Sequence, residues 1–253
     1  MGTTAVAPAP GGEQAKIGAF ARVTGVLFSP GATFEDIARK PSWLAPMVIL
    51  VVLNLVMIGI LVKKVDWSSM IRQQIESSSR ASQLTEDQKD QQIALGVKIA
   101  PYAAWGGGIL GIPIVSLVMA LVYWLGFNLF KGAGLKYSTA FGITVHALVP
   151  SIVAFILTGI ILYLKPAGEI NPDPARMAAT SLAAFLPSTA PKWLVSLGGS
   201  LEIFWLWCMA LLAIGFSAAN PRKISKGSAF AIVFGIWLVW VLAKVGWAAI
   251  FSS

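Results

Sequence analysis

Ionisable side chains inside long apolar runs are the first candidates for chemistry in this 253-residue chain. His146 is its single histidine, and Glu202 and Lys244 are the charged residues that lie well inside such runs. An ionisable group at the depth of a membrane is expensive to keep there, so each of the three marks a possible functional site.

Glu202 and Lys244 have opposite charges and lie in consecutive apolar runs, each outward of the midpoint of its run. If the runs are antiparallel helices, the two side chains fall at similar depths. An ion pair between them would offset the desolvation of both, and we predict one. The alternative is that each side chain extends separately to the membrane surface.

His146 precedes Pro150 by about one helical turn. Because proline removes a backbone hydrogen bond, Pro150 is expected to kink the helix and free a carbonyl near it. His146 is then either a functional polar residue or a neutral imidazole bonded to a backbone carbonyl. The lone Cys208 excludes an intrachain disulfide, and without a cluster of Cys, His and carboxylates we predict no metal site.

Glycines cluster near the start of the second apolar run. Gly106, Gly108 and Gly111 fit the letters of a dinucleotide-binding fingerprint, but no strand precedes them, and the fingerprint requires one. Gly107 and Gly111 form the spacing that permits close helix packing, which is the interpretation we favour. With no Ser–His–Asp set, zincin motif or phosphate loop, we predict no cofactor and no enzymatic activity; an intramembrane enzyme is the remaining minor alternative.

The composition indicates a chain solvated largely by lipid. It is 57% hydrophobic and 12% charged, whereas soluble domains carry about 25% charged residues. Five apolar runs approach or exceed the roughly 20 residues that cross a membrane as a helix. The predicted fold is all-α, a polytopic membrane protein with a bundle of five transmembrane helices and amphipathic surface helices, the spans being about 43–62, 103–130, 138–164, 198–219 and 228–251.

The segments outside these spans divide into a tail and two polar outer loops. Residues 1–14 are predicted to be a disordered N-terminal tail, and 15–253 to form the membrane domain. In the loop at 63–100, Thr85 and Gln88 fit a capping box, so a helix should begin there. In the loop at 165–197 we expect a helix over about 175–186.

Before the first span, Phe20 and Leu27 share one apolar stripe, and Phe34 and Ile37 share another beyond Pro30. This pattern is typical of short amphipathic helices. They either anchor the chain to the membrane surface or pack beneath the bundle, and the sequence leaves both open.

The basic residues of the two short connections indicate the orientation. Lys131 and Lys136 lie in one, and Arg222, Lys223 and Lys226 in the other. Because short cytoplasmic loops are enriched in Lys and Arg, we predict a cytoplasmic N-terminus and an external C-terminus in a bacterial inner membrane. The net charge of +8 is explained by this distribution, and no nucleic-acid partner is predicted.

Several stretches, in order, resemble the Yip domain family, the multi-pass membrane proteins named for interaction with Ypt/Rab GTPases. They are LFSPGATFEDIA at 27–38, the segment 140–153 with ALVP at 147–150, and LEIFWLW at 201–207 followed by LLAIG at 211–215. The resemblance covers about residues 25–250.

The resemblance implies a five-helix domain with a cytoplasmic N-terminus and, in eukaryotic members, trafficking roles with small GTPases as partners. The short tail and the Ala- and Gly-rich composition look bacterial, so a small GTPase is a partner by family analogy alone. We expect a non-enzymatic membrane organiser or adaptor that binds lipid, other membrane proteins or a second copy of itself. The alternative is a permease or an accessory subunit of a membrane transporter.

Overall fold

The computed structural model of the protein describes residues 17–76, 78, 81–166, 176 and 180–251. In the sequence, Asp173 followed by Pro174 favours the start of the helix expected over about 175–186. These two residues and the predicted disordered tail, 1–14, lie outside the described residues. The described part contains these α-helices: α1 (Ala19–Phe28), α2 (Pro30–Arg39), α3 (Leu44–Lys64), α4 (Trp67–Glu76), α5 (Glu86–Lys131), α6 (Tyr137–Ala147), α7 (Pro150–Leu164), α8 (Lys192–Ser200), α9 (Ile203–Ala219) and α10 (Lys226–Phe251).

The all-α membrane bundle predicted from the sequence is confirmed. By length and composition, α3, α5, the combined α6 and α7, and α10 can each cross a membrane. The remaining predicted span, the fourth, is the shorter apolar helix α9, whose 17 residues extend about 26 Å. We call the side of the bundle that carries α1 and α2 the near face, and the opposite side, which carries α4 and α8, the far face.

Helix α5 is much longer than a single span. Its 46 residues reach about 69 Å, more than twice the roughly 30 Å of hydrocarbon in a bilayer. The predicted capping box at its start is confirmed, with Gln88 N donating to Thr85 Oγ1 at 3.3 Å and Thr85 N to Gln88 Oε1 at 3.0 Å. The helix ends at Lys131 and is capped by Gly132, whose φ of 55° is the left-handed conformation common at helix C-termini.

The third span is interrupted at the predicted proline. Helix α6 ends at Ala147, and α7 begins with Pro150 at its first position, where the missing N–H removes no helical hydrogen bond. His146 therefore lies at the end of one half-helix, close to the break.

The predicted fourth span begins later than expected. Residues 198–200 belong to α8, and α9 starts only at Ile203, after an extended Leu201–Glu202 link. Ser181 pairs with Glu202 in an isolated antiparallel bridge, which holds the link against the preceding loop. Of the helix expected over 175–186, Arg176 is helical and 175 and 177–179 lie outside the described residues, whereas Leu182–Phe185 form a short 3-10 turn.

Helices α1 and α2 pack into the bundle rather than lying flat beneath it. Phe34 and Ile37 are fully buried in the core, and Leu27 packs against it, whereas Phe20 is 74% exposed. Surface anchoring by Phe34 and Ile37 was therefore wrong, because α2 inserts these side chains among α6 and α9. For Phe20 it remains a prediction.

The close packing predicted at Gly107 and Gly111 falls instead on their neighbour. A Cβ at Gly108 would lie 2.3 Å from Ile58 Cδ1, and Asn54 Nδ2 donates to the Gly108 carbonyl at 3.0 Å. Nothing lies within 4 Å of a Cβ at Gly107 or Gly111. The sequence motif was thus one position out of phase with the face of α5 that contacts α3.

Gly215 supplies a direct test of how tightly the near face is packed. A Cβ there would lie 2.4 Å from Ile143 Cγ2 and 3.0 Å from Phe34 Cδ1. We expect Gly215→Ala to lower the free energy of unfolding by about 1–3 kcal/mol through overpacking. The matched control is Gly235→Ala, in the open on α10, where the gain in helix propensity should be neutral or stabilising. Thermal unfolding in detergent measures both, and equal melting temperatures would contradict the packing.

Candidate functional site

A buried arginine organises the near face of the bundle. Arg22 of α1 donates from Nε to Asp36 Oδ2 at 2.8 Å, and its Nη2 lies 2.7 Å from the same oxygen. Its Nη1 donates to the Lys40 carbonyl at 3.0 Å and to Ser42 Oγ at 2.7 Å. The Arg22 side chain is 6% exposed and that of Asp36 24% exposed.

These contacts join three elements that are separate in the sequence. Arg22 belongs to α1, Asp36 to α2, and Ser42 to the link that leads into α3. A buried guanidinium must have its donors and its charge satisfied, and each of its three nitrogens here has a partner. The position at which the chain enters its first span is therefore fixed by Arg22.

His146 is connected to the same region through Gly142. A Cβ at Gly142 would lie 3.1 Å from the Ser42 carbonyl oxygen, so α6 rests directly on the link before α3. One turn later, His146 Nδ1 lies 2.8 Å from the Gly142 carbonyl. Because a carbonyl oxygen only accepts, Nδ1 carries the proton. This is the backbone-bonded imidazole considered from the sequence.

The other ring nitrogen of His146 is unusual. Nε2 is buried, and among the residues that the structure describes it has no hydrogen-bond partner. In the tautomer with a proton on Nδ1, Nε2 is an acceptor that faces the interior of the bundle. It is a buried polar atom that the described part of the chain leaves unsatisfied.

Glu202 has a capping role that its sequence context did not predict. Its carboxylate accepts from Phe204 N at 3.0 Å and Trp205 N at 2.7 Å, and from the Thr180 hydroxyl at 2.6 Å. It is thus the N-cap of α9 and stabilises the exposed N–H groups and the positive end of the helix dipole. Ser, Thr, Asp and Asn dominate at this position, so a glutamate inside an apolar run gave no such signal.

The ion pair predicted between Glu202 and Lys244 is not formed in the described structure. Both Glu202 oxygens are engaged at the start of α9, at the edge of the span rather than inside it. The ion pairs found on the described residues join other side chains. Lys244 lies partly exposed on α10.

On the far face, α4 and the first part of α5 form a helical hairpin. A Cβ at Gly96 of α5 would lie 2.8 Å from Ile71 Cδ1 of α4, and Arg72 pairs with Asp90 at 2.8 Å. Asp66 caps α4, and hydrogen bonds from the Ser69 hydroxyl and then from backbone N–H groups lower its pKa.

The hairpin extends beyond the end of the first span. Trp105 of α5 lies against Gly59 of α3, five residues before α3 ends at Lys64. The part of α5 before about residue 100 therefore projects past α3. Leu95 and Ile99 lie in that part and are exposed, and Tyr102, which is 79% exposed and level with the last turn of α3, continues the same stripe at helical spacing.

No metal site is evident on the described residues, since no three His, Cys, Asp or Glu side chains lie together in a way that could hold an ion. The polar groups that the structure does bring together are Arg22, Asp36, Ser42 and, through Gly142, His146. His146 was a candidate from the sequence, whereas Arg22 and Asp36 were not. Their separation of 14 residues, across Pro30, gives no helical periodicity that would pair them.

We expect Asp36→Asn to destabilise the protein by on the order of 3 kcal/mol, because Arg22 would keep a buried charge without its counterion. The neighbouring Glu35→Gln is the matched control, since Glu35 is exposed and its pair with Arg39 should contribute less than about 1 kcal/mol. Thermal unfolding and protease sensitivity of α1 in detergent measure the difference. If the two variants behave alike, Arg22 does not fix the near face.

Comparison with known proteins agrees with this architecture. The chain is 26% identical over 221 residues to the membrane protein YknW of Bacillus subtilis (strain 168), covering 86% of this chain and 87% of the relative. No solved structure matches the chain. Residues 24–248 match the profile of the Yip1 domain, nearly the whole of the described bundle. This match confirms the family resemblance of the sequence: the chain belongs to the Yip1 domain family of multi-pass membrane proteins.

Proposed function

We propose that the protein is a non-enzymatic membrane adaptor that binds other membrane proteins, with lipid as its surrounding partner. The observation that carries this proposal is the exposed apolar face of the far-side hairpin, formed by Leu95, Ile99 and Tyr102. Apolar side chains within the bilayer need no partner, but these three lie at or beyond the far end of α3. An apolar face at that position favours contact with another protein.

The engaged state of the polar groups supports a non-enzymatic role. Arg22 is bound to Asp36, Glu202 caps α9, and Tyr123 donates to the Val233 carbonyl. A catalytic site needs a nucleophile and a base within reach of each other and of a substrate. Among the described residues we find polar side chains that hold helices together, which fits a scaffold.

A second candidate function is supported by His146. Its Nε2, which has no partner among the residues that the structure describes, would suit an accessory subunit of a transporter or a permease, in which an intramembrane polar atom meets a solute or a partner helix. Flux of solutes into liposomes that contain the purified protein alone, abolished by His146→Leu, would favour this function over the adaptor.

Photocrosslinking tests the adaptor directly. A photoreactive residue at Ile99 should yield a discrete crosslinked protein band in cells, whereas the same residue at exposed Asp87 on another side of α5 should not. Mass spectrometry then identifies the band as a second copy or another membrane protein. Equal crosslinking at both positions, or adducts with lipid alone at Ile99, would refute a protein-binding face on the hairpin.

We also propose the orientation that follows from the basic loops, with the near face in the cytoplasm. Arg222→Cys places a thiol on the near face, and Ser82→Cys places one beside the far-side hairpin, both exposed. An impermeant maleimide added to intact bacterial spheroplasts should label Ser82→Cys and not Arg222→Cys, while buried Cys208 stays unlabelled. The opposite labelling pattern would invert the proposed orientation.

A further inference from the structure

An apolar groove separates α3 and α7 on the far half of the bundle. Its volume is about 310 Å³, and its walls include Leu53, Met57 and Ile60 on α3 and Phe155, Gly159 and Tyr163 on α7. Val56 and Ile160 at its edges are half exposed or more, so the groove opens toward the surrounding bilayer. None of the residues that line the groove belongs to the contacts of Arg22 with Asp36 and Ser42 or to the hairpin face of Leu95, Ile99 and Tyr102.

The length of the groove along α3 matches the hydrocarbon thickness of one leaflet. From Leu53, near the middle of α3, to Lys64 at its end is eleven residues, or about 16 Å. That is half of the roughly 30 Å hydrocarbon core of a bilayer. An acyl chain that follows the groove would therefore begin at the far surface and end near the midplane.

The mouth of the groove carries several positive charges. Lys63 and Lys64 end α3, and Lys165 follows α7 on the same side. Lys64 donates to the carbonyl of Tyr163 and, at 2.9 Å, to that of Lys165, and its ammonium lies 5.3 Å from the centre of the Tyr163 ring. Lys64 thus caps the C-terminal end of α7 through these carbonyls. Lys63 and Lys165, next to it at the ends of α3 and α7, are exposed.

From these features we propose that the groove is a binding site for a phospholipid with a net negative headgroup in the far leaflet. The acyl chain lies between α3 and α7, in the space that Gly159 leaves open. The phosphate lies between Lys63 and Lys165, because lysines at a membrane surface attract anionic lipids. The nearest described carboxylate along the chain, Asp66, is held by Ser68 and Ser69 at the start of α4.

This site does not depend on a protein partner, so its test is separate from that of the adaptor. The full chain is purified, depleted of lipid and exchanged into micelles with equal amounts of palmitoyl-oleoyl phosphatidylglycerol and phosphatidylcholine. Native mass spectrometry counts the lipids that remain bound. We expect about one retained lipid per chain, with phosphatidylglycerol preferred on the order of tenfold.

Two kinds of variant test the binding of the acyl chain and the binding of the headgroup separately. Gly159→Leu fills the groove and should abolish the retained lipid, as should Val56→Trp at its exposed edge if the first variant folds poorly. Gly235→Leu is the matched control, because it adds the same side chain in open space on α10. Lys63→Gln with Lys165→Gln should keep the lipid but remove most of the preference for phosphatidylglycerol.

Each result decides one part of the proposal. Retention in Gly159→Leu and Val56→Trp equal to that of the wild type and of Gly235→Leu would place the lipid elsewhere and overturn the site. An unchanged preference in the double lysine variant would overturn the headgroup assignment. Loss of retained lipid in Gly235→Leu as well would show that retention is unspecific.

Discussion

The absence of water from the bilayer core is the constraint on which the rest of this structure depends. A backbone or side-chain polar group placed there must find its partner within the protein. At the two interruptions in the spans the chain meets this demand in different ways. Pro150 starts α7 at a position where no amide hydrogen is needed, and Glu202 binds the first amides of α9 with its own carboxylate. At these two breaks, the start of α7 needs no amide partner at Pro150, and the first amides of α9 have one in Glu202.

The same constraint explains the near face. The charge of Arg22 is stable inside the bundle because Asp36, Ser42 and the Lys40 carbonyl accept hydrogen bonds from its guanidinium. In return, a single side chain ties the two short N-terminal helices to the start of the first span. Phe34 and Ile37 are then buried against α6 and α9, so α2 is a structural part of the bundle rather than a helix that lies on the membrane surface.

What the sequence could predict was governed by local patterns. Long apolar runs identify spans, Thr85 with Gln88 identifies the start of α5, and Pro150 identifies a break, because each signal lies within a few residues. The pairing of side chains across the bundle was not predictable in this way. Arg22 with Asp36 and Gly108 with Ile58 depend on how helices cross, and Glu202 looked like an intramembrane charge because its helix begins later than its apolar run suggests.

Helix α5 has a mechanical consequence that follows from its length alone. It is one unbroken rod of about 69 Å whose outer third carries the hairpin and whose inner end stacks Phe127 on Phe216 at 4.3 Å between ring centres. A tilt of about 5° in a rod of this length displaces one end by about 6 Å relative to the other. A force on the hairpin would therefore displace Phe127 relative to Phe216 at the other end of the helix, unless α5 bends at Pro101 or Pro113.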